Sequence, residues 1–176
     1  FEGWFNKAGN EPWDFAANAV TANTALYAKW QVKKHTVTFS VNDGNGTLTA
    51  QLDGNTFTTD TEVEYGKTVE FSATPEDGYA VDTWTITGSE FEKNSGTDGS
   101  LTAKVKITAN TTVNVSFTKN SYTVSFDAKG GSPVPEAQTV SYNDKAAAPT
   151  EPAKEGYTFE GWFNKAGNEP WDFAAN

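Results

Sequence analysis

The chain contains neither cysteine nor methionine. Without cysteine there is no disulfide, no thiolate metal site and no thiol nucleophile. With neither sulfur residue, no side chain stands on the common oxidation ladder, which suits an exposed, secreted protein. Histidine is nearly absent too: His35, beside Lys33 and Lys34, is the single example. Alone it makes neither a metal triad nor a nucleophile–base pair. No apolar run approaches the roughly 20 residues that a membrane span needs, so membrane insertion is not expected. The opening Phe1-Glu-Gly-Trp4 is unlike a signal peptide and there is no initiator, so the sequence reads as an excerpt whose export or anchoring signal would lie elsewhere. Basic residues are sparse: Lys and Arg total 13 against 23 Asp and Glu, a formal net charge of -10. The acidic residues are scattered singly and read as a solubilising surface, and no basic stripe could track phosphates, so nucleic acid is not an expected partner.

What is present is enough to fold. The 176 residues are 36% hydrophobic and 14% aromatic, room for one ordinary domain or two small ones. A repeat organises them. Residues 1–18 read FEGWFNKAGNEPWDFAAN, and residues 159–176 read the same letters, 158 positions later. A fainter repeat lies inside that period. Tyr65, Pro75, Gly78, Tyr79 and Trp84 can be laid on Tyr142, Pro152, Gly156, Tyr157 and Trp162 with one inserted residue. Ahead of them, His35-Thr-Val-Thr-Phe39 parallels Tyr122-Thr-Val-Ser-Phe126; behind, Asn110-Thr-Thr-Val-Asn-Val-Ser-Phe117 parallels Asn23-Thr-Ala-Leu-Tyr-Ala-Lys-Trp30. The expected organisation is a trailing half-module at 1–30, a complete module at 34–118 and a leading portion at 121–176. Joining 121–158 to 1–30 regenerates a whole module of the first kind. Residues 31–34 and 119–121 are linkers without proline runs or glycine-serine tracts, so neighbouring modules should sit close.

Period-two alternation dominates, as in residues 36–41, where Val37, Phe39 and Val41 share one face and hydroxyl residues the other. The same pattern predicts strands at 61–64, 68–73, 84–87, 101–108, 112–118, 122–127 and 138–142. Turn chemistry fills 42–46, 53–55 and 94–99. No stretch sustains a helical period; residues 145–148 are stopped by Pro149 after at most one turn. The expected class is mainly β, in small tandem modules with short linkers and little helix.

The motif Gly156-Tyr-Thr-Phe-Glu-Gly-Trp162, preceded by Tyr122-Thr-Val-Ser-Phe-Asp-Ala-Lys-Gly-Gly131, resembles the Listeria-Bacteroides repeat, or internalin B-repeat; Thr24-Ala-Leu-Tyr-Ala-Lys-Trp30 resembles its closing end. The middle module, with Tyr65-Gly-Lys-Thr-Val69, Ala73-Thr-Pro-Glu-Asp-Gly-Tyr79 and Val113-Asn-Val-Ser-Phe117, is similar to a divergent form of the same repeat. The resemblance covers nearly the whole chain. It implies β-grasp-like modules strung in arrays on secreted or wall-anchored bacterial proteins, acting without catalysis or cofactor as spacers or interaction units. Here the second copy of the first-type module does not contain a counterpart of residues 19–30. An unpaired β edge is a template for another strand, so the ends are expected either to be poorly ordered or to complete one another head to tail, between copies or adjacent repeats.

Candidate chemistry is sparse. Glu62, Glu64 and Glu70 read as solvated strand faces, since glycosidase work needs two carboxyls held across a cleft. Asp43 and Asn45, in the oxygen-rich turn 42–46, are weak calcium candidates lacking the full loop spacing. The sequons at Asn45, Asn110 and Asn114 matter only in a glycosylating host. The signature positions Trp30, Tyr65, Gly78, Tyr79, Trp84, Tyr142, Gly156, Tyr157, Gly161 and Trp162 recur between modules, and Trp84 and Trp162 are expected in the cores. Trp13 and its copy Trp171, with Asn10 and Asn168, are the best candidates for exposed contact with a glycan or a host surface protein. The leading expectation is an extracellular stalk, spacer or self-assembling fibre unit. A binding module that uses the exposed aromatics is the alternative.

Overall fold

The computed structural model describes residues 1–6, 11–164, 166 and 169–175. Among these are thirteen strands and no helix, so the short helical turn expected at 145–148 is not formed. Three strand-built regions follow one another along the chain.

The first region pairs β1 (Gly3–Phe5) antiparallel with β2 (Tyr27–Lys29). The second holds β3 (Lys34–Val41), β4 (Gly46–Leu52), β5 (Asn55–Phe57), β6 (Thr61–Glu64), β7 (Thr68–Pro75), β8 (Tyr79–Thr87), β9 (Glu90–Phe91), β10 (Thr102–Lys106) and β11 (Thr111–Lys119). The third contains β12 (Ser121–Val124) and β13 (Gln138–Ser141), an antiparallel pair. β4 and β5 were not anticipated, because β4 starts at Gly46 inside what reads as turn sequence. Its Leu48, Ala50 and Leu52 nevertheless alternate inward.

The middle region consists of two facing sheets. One has the order β6-β3-β11-β8, with β3 and β11 parallel at its centre; the other has the order β5-β4-β7-β10-β9. Parallel pairing of the first and last strands needs the intervening chain to cross over, and here that chain supplies the whole second sheet as well as the outer strands β6 and β8 of the first. Alternation sends one side of each strand inward: Val69 and Phe71 from β7, Ala103 and Val105 from β10, Val113, Val115 and Phe117 from β11. Outside this core the buried hydrophobic residues, among those described, are Phe5 and Ala146. The central module therefore holds nearly all the apolar burial that stabilises the chain.

Polar groups buried at the turn before β9 are satisfied. Ser89 Oγ lies 2.7 Å from Thr111 Oγ1 and accepts the amides of Thr108 at 3.0 Å and Ala109 at 3.3 Å. Gly88 (φ 90°) lets the chain pass against the Asn110 carbonyl, a place that any Cβ would occupy. One residue, Asn120, separates β11 from β12. Its amide donates to the Gly78 carbonyl at 2.8 Å, and its carbonyl accepts the Tyr142 amide at 2.8 Å, tying the second region to the third. Lys119 and Asp144 add an ion pair at 3.3 Å.

Candidate functional site

The shared 18-residue segment occurs in two settings, and the local hydrogen bonds are the same in both. The Trp13 amide donates to the Trp4 carbonyl at 2.7 Å, and the Trp171 amide to the Trp162 carbonyl at 2.8 Å. Asn6 and Asn164 each donate a backbone amide to the carbonyl five residues on, of Glu11 and Glu169. The carboxylates of Asp14 and Asp172 accept the amides of Ala16 and Ala174, both at 2.8 Å.

Long-range partners differ. In the first copy, Gly3, Trp4 and Phe5 pair with Lys29, Ala28 and Tyr27, and Phe5 is buried to 9% exposure with the Lys29 ammonium 4.8 Å from its ring. In the second copy, the pairing of residues 161–163 among the described residues is the isolated bridge from Phe163 to Pro170, and Phe163 is 44% exposed. Residues from the third region meet that copy on its other side. The Phe126 ring lies 5.1 Å from Trp162 and 6.4 Å from Phe173, and Phe159 lies 5.6 Å from Trp162. These rings line an open groove of about 1060 Å³, with Trp171, Tyr157 and the Asp127–Lys129 turn at its walls.

Two polar atoms in this part are buried without a partner among the described residues: Trp162 Nε1 and Asn164 Oδ1. In the complete module the corresponding indole, Trp84, donates to the Ser100 carbonyl at 2.8 Å and is 6% exposed. An unmet buried donor costs about 1–3 kcal/mol. The groove thus has the aromatic content of a core and the openness of a binding surface. The Lys129 ammonium and amide hydrogen-bond to Asp127 and hold its carboxyl below the usual carboxylate range, and Asp127 in turn raises Lys129. Both sit exposed on the rim as a turn-stabilising pair.

The signature residues fall in unlike environments. Trp84 is in the core as expected, and Tyr79 packs against it half-buried. Trp162 is only half-buried, and Trp30 is exposed against Phe1, 5.3 Å between rings. Among the signature tyrosines, Tyr65 is 55% exposed with the His35 ring 6.1 Å away, and Tyr157 is 72% exposed with the Lys154 ammonium 4.5 Å from its ring centre. Tyr142 is half-buried against Gly78, and Gly156 and Gly161 are both exposed at positive φ.

Of the four candidate contact residues, Trp171 lines the groove at 38% exposure, while Trp13 is half-buried. Asn10 and Asn168 lie outside the described residues. Asp43 is engaged structurally: its carboxylate accepts the Phe117 amide at 2.8 Å beside the register shift in β11, while the Asn45 carbonyl accepts the Glu76 amide. No cluster of three metal-ligating acidic or histidine side chains occurs among the described residues. No helix long and apolar enough to cross a membrane occurs among the described residues. The groove-lining Phe126, Phe159 and Phe173 were not singled out from sequence; alternation through Tyr122, Val124 and Phe126 is the signal that could have found the first.

The family model for the Listeria-Bacteroides repeat domain matches residues 1–29 and 122–176, and that for the divergent InlB B-repeat domain matches residues 35–121. Two proteins of Evansella cellulosilytica, one named as a Gly-rich membrane protein and the other as a membrane protein, are 31% and 32% identical over 98% of the chain. Internalin H of Listeria monocytogenes is 37% identical over 52% of it. The chain spans 18%, 24% and 16% of the lengths of these three relatives. No solved structure gave a significant match. The chain belongs to the InlB B-repeat families found in internalin-like bacterial surface proteins, with a divergent B-repeat domain set between two parts of Listeria-Bacteroides repeat domains.

Proposed function

We propose that the chain is a non-catalytic stretch of an extracellular stalk, built from modules that follow one another with almost no linker and close their open β edges with strands from neighbouring repeats. The observation that carries this reading is the shared segment in its two settings. Residues 3–5 pair with β2, and the same residues at 161–163 lie beside the aromatic groove, where a counterpart of residues 19–30 from a continuing or adjacent repeat would pair in the same way. The antiparallel register of the first setting supplies the second: Gly161 opposite a Lys29 of another copy, Trp162 opposite Ala28 and Phe163 opposite Tyr27. Supplied by another copy instead of by a continuing chain, the same strand would link copies into a head-to-tail fibre.

The test is solution scattering and electron microscopy of the chain over a concentration series. Elongated polymers that grow with concentration, and that dissolve when a free peptide of residues 19–30 occupies the edge, support strand donation. Compact monomers at every concentration exclude it. A second reading, contact with a glycan or a host surface protein, is favoured by one observation, the exposed face of Trp171 beside Trp162 on the groove wall. Binding on a glycan array that is lost in the Trp13→Ala, Trp171→Ala variant would support it.

A further inference from the structure

The contact between the second and third regions is a small joint with few parts. The Tyr142 ring covers Gly78, and a Cβ on Gly78 would fall inside that ring. The Asn120 amide donates to the Gly78 carbonyl, and the Tyr142 amide donates to Asn120. Gly78 sits at φ 81°, which glycine adopts freely. So the glycine supplies both the backbone turn and the flat seat on which the tyrosine lies.

Each part recurs where its other half is missing. Tyr65 stands at the position of Tyr142, and its amide donates to the Lys33 carbonyl at 2.8 Å, as Tyr142 does to Asn120. Gly66 (φ 86°) and Asn143 (φ 62°) follow the two tyrosines in the same turn conformation. Lys33 lies three residues after Trp30, as Asn120 lies three after Phe117. Yet the Tyr65 ring is exposed, with His35 6.1 Å away. At the other end, Gly156 repeats Gly78, with φ 75° and a tyrosine following, but nothing lies within 4 Å of the place its Cβ would take.

We propose that Tyr65 and Gly156 are the two halves of one joint, and that the surface at Gly156 binds a further copy of the central module through that copy's Tyr65 ring and a hydrogen bond from its Lys33 amide to the Gly156 carbonyl. The occupant follows from the covered version of the same surface between the second and third regions. The Lys119–Asp144 ion pair is not carried over, since Val32 and Lys67 stand at those positions. Ring and amide must therefore suffice. This inference rests on the stalk reading and specifies its joints: every module boundary would be locked by a tyrosine on a positive-φ glycine, alternately Tyr142 on Gly78 and Tyr65 on Gly156.

The absence of cysteine makes disulfide trapping a clean test. The chain is extended by its own residues 19–176 placed directly after Asn176, so that the 158-residue period continues. Three cysteine pairs are then compared. Gly78→Cys with Tyr142→Cys, in the first unit, is the reference, because the Gly78 Cβ position lies within 2.2 Å of three Tyr142 ring atoms, so that the two side-chain positions are in direct contact and a small shift brings them to disulfide geometry. Gly156→Cys of the first unit with Tyr65→Cys of the appended unit is the test pair. Gly54→Cys with the same appended cysteine is the control, Gly54 being another positive-φ glycine in open space.

The expected result is intramolecular closure of the test pair within about threefold of the reference rate and more than about tenfold above the control, independent of protein concentration. Closure no faster than the control, while the reference closes, overturns the joint. Scattering that still lengthens by a fixed increment per repeat would then leave the stalk reading intact, so the two failures are distinguishable. Shifts of the Tyr65 ring resonances on adding a soluble oligosaccharide, without closure, would reassign the ring to a sugar and likewise overturn the joint.

Discussion

Residues 1–18 and 159–176 are the same eighteen letters, yet one copy holds a strand and the other an open edge. What differs is which distant chain lies beside them. Among the described residues, the first copy lies beside β2 and the second beside Phe126. As a result Phe5 is buried and Phe163 exposed, while Trp4 is exposed and its copy Trp162 half-buried. Each copy shows the side of the module that the other lacks. Between them stands the complete central module, where both sides are covered and the corresponding indole is fully engaged.

The sharpest way to break this comparison is at the tryptophans. Trp84→Ala should cost about 3–5 kcal/mol in urea unfolding of the central module, as large-to-small changes in a packed core do. Trp162→Ala should cost less than half as much by hydrogen exchange of the third region. Equal costs would mean that the groove is already a finished core. A smaller contrast is expected at the shared phenylalanine. Phe5→Ala should lose about 2 kcal/mol of protection of the Tyr27–Lys29 amides, whereas Phe163→Ala should lose under about 1 kcal/mol, in proportion to the apolar area each buries.

The glycine pair comes next. Gly78→Ala and Gly156→Ala both force a side chain into positive φ, at about 1–2 kcal/mol. Only Gly78→Ala also displaces Tyr142, so only it should raise the exchange rate of the Asn120 amide in the 176-residue chain. The smallest effect concerns the groove rim. Asp127 is held below its ordinary 3.8, so its pairing with Lys129 supports the turn at neutral pH and fades as pH falls through the folded-state value. Lys129 is raised above 10.5, so its contribution is present below that value and is lost as pH rises through the folded-state one. An NMR titration should find Asp127 titrating low, returning toward ordinary carboxylate behaviour in Lys129→Ala.

Much of the strand pattern was legible, because Val, Thr and Phe alternating over five or more residues leave few alternatives to a half-buried strand. The segment containing Thr68–Pro75 and that containing Thr111–Lys119 are of this kind. β4 escaped because glycine-rich turn chemistry runs into its first residue, and the two-residue β9 is too short to carry a period. The repeat alignment marked Gly78 and Tyr142 as signature positions. It gave no reason to pair them, since they lie in different modules and meet only when β11 runs straight into β12. The aromatic groove was hidden for a related reason: its walls come from residues near 126 and near 160–173, which alternation assigns to separate elements.

By itself, then, the sequence determined the tandem plan, the alternating strands and the local hairpin of the shared segment. That hairpin forms alike in both copies because its bonds run between residues a few positions apart, at small entropic cost. Only the tertiary structure decided whether Gly-Trp-Phe within it becomes a strand, which tryptophan is buried and where a tyrosine meets its glycine. Each of those depends on a partner distant in sequence, which the eighteen shared letters do not themselves contain.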